Sequence, residues 1–276
     1  MGDRTIAVPA TAEQLAEWRA RASALAIQGG EVLLRLQAAR GSARSKSFRR
    51  ELVTEADRET ERVVVGGLLQ QYPDHAVLAE EGVLTVQGQK SSQSDWTWIV
   101  DPLDGTTNFV HGLPFFAVAI GLAYRSVPVV GVVHAPVLQQ TYSAALGLGA
   151  TCNGTPLRVS STSELADALL ATGFAYRRDE QGAVDNIERL RRVMPHCRDV
   201  RRFGSAELDL CFVARGAYDA YWEFDLAPYD VAAGAIVVRE AGGRVTDIDG
   251  GDAWLYGGRI LASNAILHDD VRRFLP

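Results

Sequence analysis

Residues 96–109 constrain the fold more than any other stretch. An aromatic and β-branched run, Trp96-Thr97-Trp98-Ile99-Val100, passes without a spacer into Asp101-Pro102-Leu103-Asp104-Gly105-Thr106-Thr107-Asn108-Phe109. A run of the first composition forms a strand, and its end delivers Asp101 to a sheet edge. Pro102 then fixes the backbone, Gly105 permits a tight turn, and the small polar residues that follow suit the start of a helix. Two carboxylates on such a turn can converge on one point, and the N–H groups near Gly105 and Thr106 can face an anion placed there. Asp-Gly alone is an ordinary turn dipeptide; the other acidic signals of the chain give it meaning.

Those signals lie on both sides. His75-Ala76-Val77-Leu78-Ala79 reads as a strand ending in Glu80-Glu81, adjacent like charges that are costly at a sheet edge unless cations or solvent compensate. Asp57 falls in the first turn of a helix, and Asp230, in Pro228-Tyr229-Asp230-Val231-Ala232-Ala233-Gly234, does the same in a small, apolar setting; taken singly, both read as helix caps. A set of oxygen ligands without His or Cys points to a hard cation, and a few carboxylates with room for water suit Mg2+ better than Ca2+. Asp247, Asp249 and Asp252 do not complete a calcium loop, because Gly258 stands where its closing Glu belongs. There is no GxSxG elbow, HExxH pair or complete P-loop, and Gly147-Leu148-Gly149 lacks the third glycine of a dinucleotide fingerprint.

Around these residues the chain reads as layered α+β or α/β. Thr11 and Gln14 are spaced as a capping box ahead of a helix to about residue 37. Residues 40–51 read as a polar loop, and Thr54 opens a second helix that Pro73 ends. Strands are expected at 77–79, 96–100, 116–123, 129–133 and 142–145, in a mixed or antiparallel sheet behind the two helices. Residues 81–95 read as an exposed loop. The second half alternates: strands at 169–172, 200–203, 218–222, 244–246 and 259–262, with helices near 184–194, from Ser205, and at 229–241. One domain of 1–276 is expected, in two lobes of about 11–150 and 151–276 hinged near 147–156.

A net charge of −6 disfavours nucleic acid and anionic membrane as partners, because the field of the whole molecule repels both. The pairs Arg49-Arg50, Arg191-Arg192 and Arg201-Arg202 read as solvated. Cys152, Cys197 and Cys211 form no CxxC pair, which fits a reducing compartment. The N-terminus shows neither a signal-length apolar run nor a myristoylation motif, so the expected location is the cytoplasm.

Asp57, Glu80-Glu81, the run from Asp101 to Phe109, and Asp230-Val231-Ala232-Ala233-Gly234 together resemble the inositol monophosphatase family. The resemblance is collinear from about residue 15 to 274. It includes Ala171-Thr172-Gly173-Phe174, Gly204-Ser205-Ala206-Glu207-Leu208-Asp209-Leu210-Cys211 and Tyr221-Trp222-Glu223. Departures are Ala79-Glu80-Glu81-Gly82 where members often have Gly-Glu-Glu-Ser, and Tyr229-Asp230 where they have Trp-Asp; neither removes a ligand oxygen.

The resemblance implies a layered αβαβα sandwich, a homodimer, lithium sensitivity and two to three Mg2+ ions per site. By position, Glu80, Asp101 and the Leu103 carbonyl would hold the first ion, and Asp101, Asp104 and Asp230 the second. A third would lie near Glu80, with Asp57 close by through water. Thr106 with Asp57 would orient the attacking water. Asp104, Gly105, Thr106, Ala206, Glu223 and Asp230 would meet the substrate, Glu223 through a polyol hydroxyl, and Lys46 would be the basic residue of a nearby loop. The implied activity is hydrolysis of a small polyol phosphate, myo-inositol 1-phosphate first. Alternatives are fructose-1,6-bisphosphatase, histidinol phosphatase or adenosine 3′,5′-bisphosphate phosphatase activity, or a non-catalytic adaptor; a second phosphate would need its own cationic clamp, for which Arg201-Arg202 is the nearby candidate.

Overall fold

The computed structural model describes residues 7–39, 46–82, 94–174 and 186–276. Two long helices come first, α1 (Ala12–Ala39) and α2 (Lys46–Gln71). The capping box ahead of α1 is formed: Gln14 Oε1 accepts the Thr11 N–H at 2.9 Å and Thr11 Oγ1 accepts the Gln14 N–H at 3.2 Å. The expected loop over 40–51 is corrected, because α2 already begins at Lys46. The side chains of Lys46, Arg49, Arg50 and Thr54 lie outside the described residues, as does most of the 81–95 segment.

Strands β1 (Ala76–Ala79), β2 (Trp96–Asp104), β3 (Ala117–Tyr124), β4 (Val127–Ala135), β5 (Gln140–Ala145), β6 (Ala150–Cys152) and β7 (Thr155–Pro156) form one sheet in sequence order. β1 pairs parallel with β2 and every later pair is antiparallel, so the sheet is mixed as expected. β6 and β7 carry this sheet through the stretch read as a hinge.

The near-continuous apolar character of β3 and β4 follows from burial on both faces. Val118, Ile120 and Leu122 join a core with Leu25, Leu33 and Leu68 of α1 and α2. The alternate residues Ala117, Ala119 and Ala123 join a second core with α5 (Ala206–Ala214) and α6 (Ala232–Glu240). Period-two alternation thus sorts one strand's side chains into two cores.

The second sheet runs β11 (Arg244–Thr246), β12 (Arg259–Ser263), β10 (Ala220–Phe224), β8 (Leu169–Thr172), β9 (Asp199–Arg201). Tyr221, Ile260 and Ala262 face α5 and α6. Trp222 and Leu261 face a third core with Val193 of α4 (Asn186–Val193) and Val271 of α7 (His268–Arg272). The five layers are therefore αβαβα. A short helix, α3 (Thr106–His111), follows β2.

Several boundaries move. The expected strand 200–203 is 199–201, and 218–222 becomes Ala220–Phe224, which places Glu223 in a strand. The expected helix 229–241 is a 3-10 turn, Pro228–Asp230, followed by α6.

Candidate active site

Two features of β2 assemble the acidic site. Its parallel register with β1 sets Ala79 beside Val100, so both strands emerge at the same sheet edge and Glu80 follows there next to Asp101. Outside the carboxyl ends of parallel strands is where ligands bind in open sheets. In a regular strand Asp101 and Asp104 would project to opposite faces. The register with β3 shifts between them, with Asp101 opposite Ala119 and Asp104 opposite Ala117, so β2 carries an extra residue. Such a bulge re-aims a side chain, and here it brings both carboxylates to one pocket.

The turn after them is fixed by Gly105 at φ +86°, where a Cβ would come within 2.7 Å of the Phe115 carbonyl. Asp101 Oδ1 accepts the Leu103 N–H at 2.9 Å, and the Thr106 hydroxyl donates to the Leu103 carbonyl at 3.1 Å. Asn108 sends its amide to the carbonyls of Phe115 at 2.6 Å and Phe203 at 2.8 Å, tying α3 to the chain beyond β9.

Asp104 makes the corresponding tie for β2. Its Oδ1 accepts the Ala206 N–H at 3.1 Å, and its Oδ2 accepts the Ser205 hydroxyl at 2.5 Å and the Glu207 N–H at 3.0 Å. It thereby caps α5, supplying acceptors that the first N–H groups of a helix lack. Asp230 Oδ2 accepts the Ala227 N–H at 2.6 Å.

These carboxylates share a cavity of about 320 Å³. Glu80, Asp101, Asp104 and Asp230 form its acidic part, with Leu103 beside them. Gly105, Thr106, Ala206 and Glu223 complete the sequence-predicted set on its wall. Asp57 alone is not on that wall; it is buried in α2, and the carboxylates that most perturb it are Glu80, Glu81 and Glu61.

Burial lifts the whole cluster above ordinary carboxylate values, and repulsion among the carboxylates adds to it at Asp57, Glu80, Asp101 and Asp230. Asp57 is pushed up to about 8 by burial and the charges of Glu80, Glu81 and Glu61. Asp230 also reaches about 8 through burial, with Asp104 and Glu80 adding to it. Glu80 is raised to about 7 by burial of its carboxyl, although the residue as a whole is exposed, while a hydrogen bond with Asp101 pulls the other way. Burial, Glu80, Asp104 and Asp230 hold Asp101 well above the usual range. Burial raises Asp104 only to about 6, because the Ser205 hydroxyl and the N–H groups of Glu207, Ala206 and Leu208 offset it.

Among the described residues, no group of three or more His, Cys, Asp or Glu side chains stands as a formed metal cluster. The donor set nevertheless suits a hard cation. It is all oxygen, and Asp57 Oδ1 is buried with no hydrogen-bond partner. A buried carboxylate oxygen without a donor is stabilised only by a proton or a cation.

Of the candidate clamp Arg201-Arg202, Arg202 lines the cavity, whereas Arg201 pairs with Asp199 at 2.6 Å. Sequence reasoning missed two contributors. Tyr221 donates its hydroxyl to Glu223 Oε2 at 2.5 Å, and burial first, offset by that bond, pushes Glu223 up to about 7. At Gly173 a Cβ would overlap the Glu223 carboxylate, so this glycine makes room for it; no turn signal marks it in the sequence.

The five-layer architecture and the carboxylate pocket at the end of the first sheet define a class of α/β sandwich with an acidic site. The inositol monophosphatase family model matches residues 14–273, and the chain belongs to that family. An inositol-1-monophosphatase of Synechocystis is 44% identical over 227 residues, covering 82% of this chain and 77% of the relative. A Pseudomonas aeruginosa protein named Nus factor SuhB is 44% identical over 216 residues, covering 78% of this chain and 79% of the relative. The solved structure of an inositol monophosphatase from Anabaena (Nostoc) matches with TM-score 0.84 at 40% identity, covering 95% of this chain and 96% of that one. No described helix is long and apolar enough to cross a membrane.

Proposed function

We propose that the protein is a magnesium-dependent phosphomonoesterase of small polyol phosphates, with myo-inositol 1-phosphate as the preferred ester. The observation that carries this is the gathering of Glu80, Asp101, Asp104 and Asp230 on one cavity that also presents Thr106 and Glu223. Glu80, Asp101 and the Leu103 carbonyl would hold one ion; Asp101, Asp104 and Asp230 would hold another. Bound Mg2+ supplies charge neutralisation of the phosphate and acidifies water. Each carboxylate oxygen has about two acceptor sites. Asp104 Oδ2 spends both on Ser205 and Glu207, so Asp104 offers a cation only Oδ1.

Asp57, with an unpartnered buried oxygen, is the acceptor for the proton of a water held by the Thr106 hydroxyl. Glu223, steadied by Tyr221, takes a polyol hydroxyl, and the partly apolar wall of Phe174 and Leu226 displaces solvent around the ring. A homodimer, a cytoplasmic location and lithium sensitivity rest on family membership and on the composition of the chain.

The test is phosphate release from inositol 1-phosphate, fructose 1,6-bisphosphate, histidinol phosphate and adenosine 3′,5′-bisphosphate, each with Mg2+ and with chelator. The bisphosphates belong in it because Arg202 lies on the cavity wall and suits a second anionic group. Preference for the inositol ester supports the reading; preference for another keeps the chemistry and moves the substrate. A second reading, favoured by relatives named Nus factor SuhB, is that the chain also serves as an adaptor for a macromolecular partner. Full partner function in an Asp104→Asn variant that has lost hydrolysis would establish that role.

A further inference from the structure

Glu207 stands in the first turn of α5, has no exposed surface, and holds none of the roles above. A glutamate buried so completely requires partners, and the backbone of another helix provides them. Its Oε1 accepts the Ala233 N–H at 3.1 Å, and its Oε2 accepts the Gly234 N–H. Those two groups open α6 and have no acceptor within it, so Glu207 caps α6 from outside.

At the same time its own N–H donates to Asp104 Oδ2 at 3.0 Å. One residue therefore links the cap of α5 to the cap of α6. The contacts run without a gap from Asp104 at the end of β2, through the first turn of α5, to the start of α6, which begins two residues after Asp230.

The sequence leaves room for this clamp: at Gly234 a Cβ would approach Glu207 Oε2 and Leu210 Cβ each to 2.6 Å. On its other side α6 is seated on β4, where a Cβ at Gly131 would overlap the Ala233 carbonyl. The start of α6 is thus fixed from two directions, and Glu207 is the polar one of them.

Resting on the cation-binding reading of the site, we infer that Glu207 is a positioning residue for divalent-cation binding, setting Asp230 at its distance from Asp104 by locking the N-terminus of α6 to that of α5. Glu207→Gln keeps the shape but replaces one acceptor oxygen by an NH2 group, leaving one α6 N–H uncapped. Supporting partners behind metal ligands are worth about 10- to 100-fold in metal affinity.

The test is calorimetric titration of the full chain with Mg2+ alone, without substrate, beside the Mg2+ dependence of hydrolysis. For Glu207→Gln the Mg2+ dissociation constant and the half-saturating Mg2+ concentration should both rise by about tenfold or more. KM for the ester at saturating Mg2+ should stay within about twofold. Glu240→Gln is the control: Glu240, at the far end of α6, accepts the N–H groups of Gly147 at 3.0 Å and Gly149 at 2.8 Å, and its loss should move neither quantity.

A Glu207→Gln protein that melts earlier yet binds Mg2+ as the wild type does would overturn the inference and leave Glu207 a structural cap. If that variant does not fold, Gly234→Ala, which crowds the Glu207 carboxylate without removing it, is read by the same titration with the same two outcomes. A wild type that binds no Mg2+ would instead overturn the cation reading beneath the inference.

Discussion

Asp101 and Glu223 share one cavity but differ in what surrounds them. Asp101 is raised by burial and then by Glu80, Asp104 and Asp230, the other carboxylates of the acidic pocket. Glu223 is held by a tyrosine and lies against Gly173. Asp101→Asn should therefore lower turnover by more than about a hundredfold, beyond what supporting partners of metal ligands contribute. Glu223→Gln should change turnover less than about tenfold and act on KM and substrate preference; comparable losses in turnover for both would count against these roles. Gly173→Ala forces the Glu223 carboxylate aside, and steady-state kinetics should show KM for the polyol ester rising roughly tenfold, the scale of one lost polar contact, with Mg2+ dependence unchanged. At this scale the acidic residues were legible because each follows a recognisable strand or reads as opening a helix, although Asp57, read in a first turn, lies well inside α2, which begins at Lys46. Gly173 and Glu207 were not, because their partners come from elements distant in sequence, and no local pattern carries such a contact; Tyr221, two residues from Glu223 on the same face of β10, could have been found from strand alternation.

The elements place these groups through two departures from regularity: the bulge in β2 and the close seating of α6. Strand alternation predicts β2 but not its extra residue, so convergence of Asp101 and Asp104 follows from Pro102 and Gly105 only once the pairing with β3 is known. The start of α2 was misread for a related reason. Residues 46–51 are mostly polar and basic and read as part of the preceding loop, yet the helix extends through them, since Arg and Glu are good helix formers. α6 was legible as a helix from its Ala- and Val-rich sequence, whereas its approach to β4 depends on Gly131. Gly131→Ala sets a methyl against the Ala233 carbonyl and Ile236; overpacking of this kind costs about 1–3 kcal/mol. Urea unfolding should show a lower midpoint with unchanged slope, and an unchanged midpoint would mean that α6 is seated less tightly than the structure shows.

Across the whole molecule, the layered order could be read from two amphipathic helices, a mixed sheet and an alternating second half. The sharing of β3 and β4 between two cores explains why their sequences look uniformly apolar. The site loads this sandwich with carboxyls that ionise late. Asp57 and Asp230 move from an ordinary 3.8 to about 8, and Glu80 from 4.5 to about 7. Between those values the folded chain holds protons that the unfolded chain has released, so folding stability falls as pH rises. In chelator, the melting temperature should drop by roughly 5 °C between pH 5 and 8 and level off above, and Mg2+ should restore more of it at pH 8 than at pH 5. A flat profile in chelator would contradict the crowding of these carboxyls. The most direct test of the site as a whole is phosphate release from inositol 1-phosphate by the wild type and Asp101→Asn across a Mg2+ titration. Saturable, chelator-sensitive turnover in the wild type and near-complete loss in the variant at every Mg2+ concentration is the predicted result; Mg2+-independent release, or equal rates in the two proteins, would contradict it.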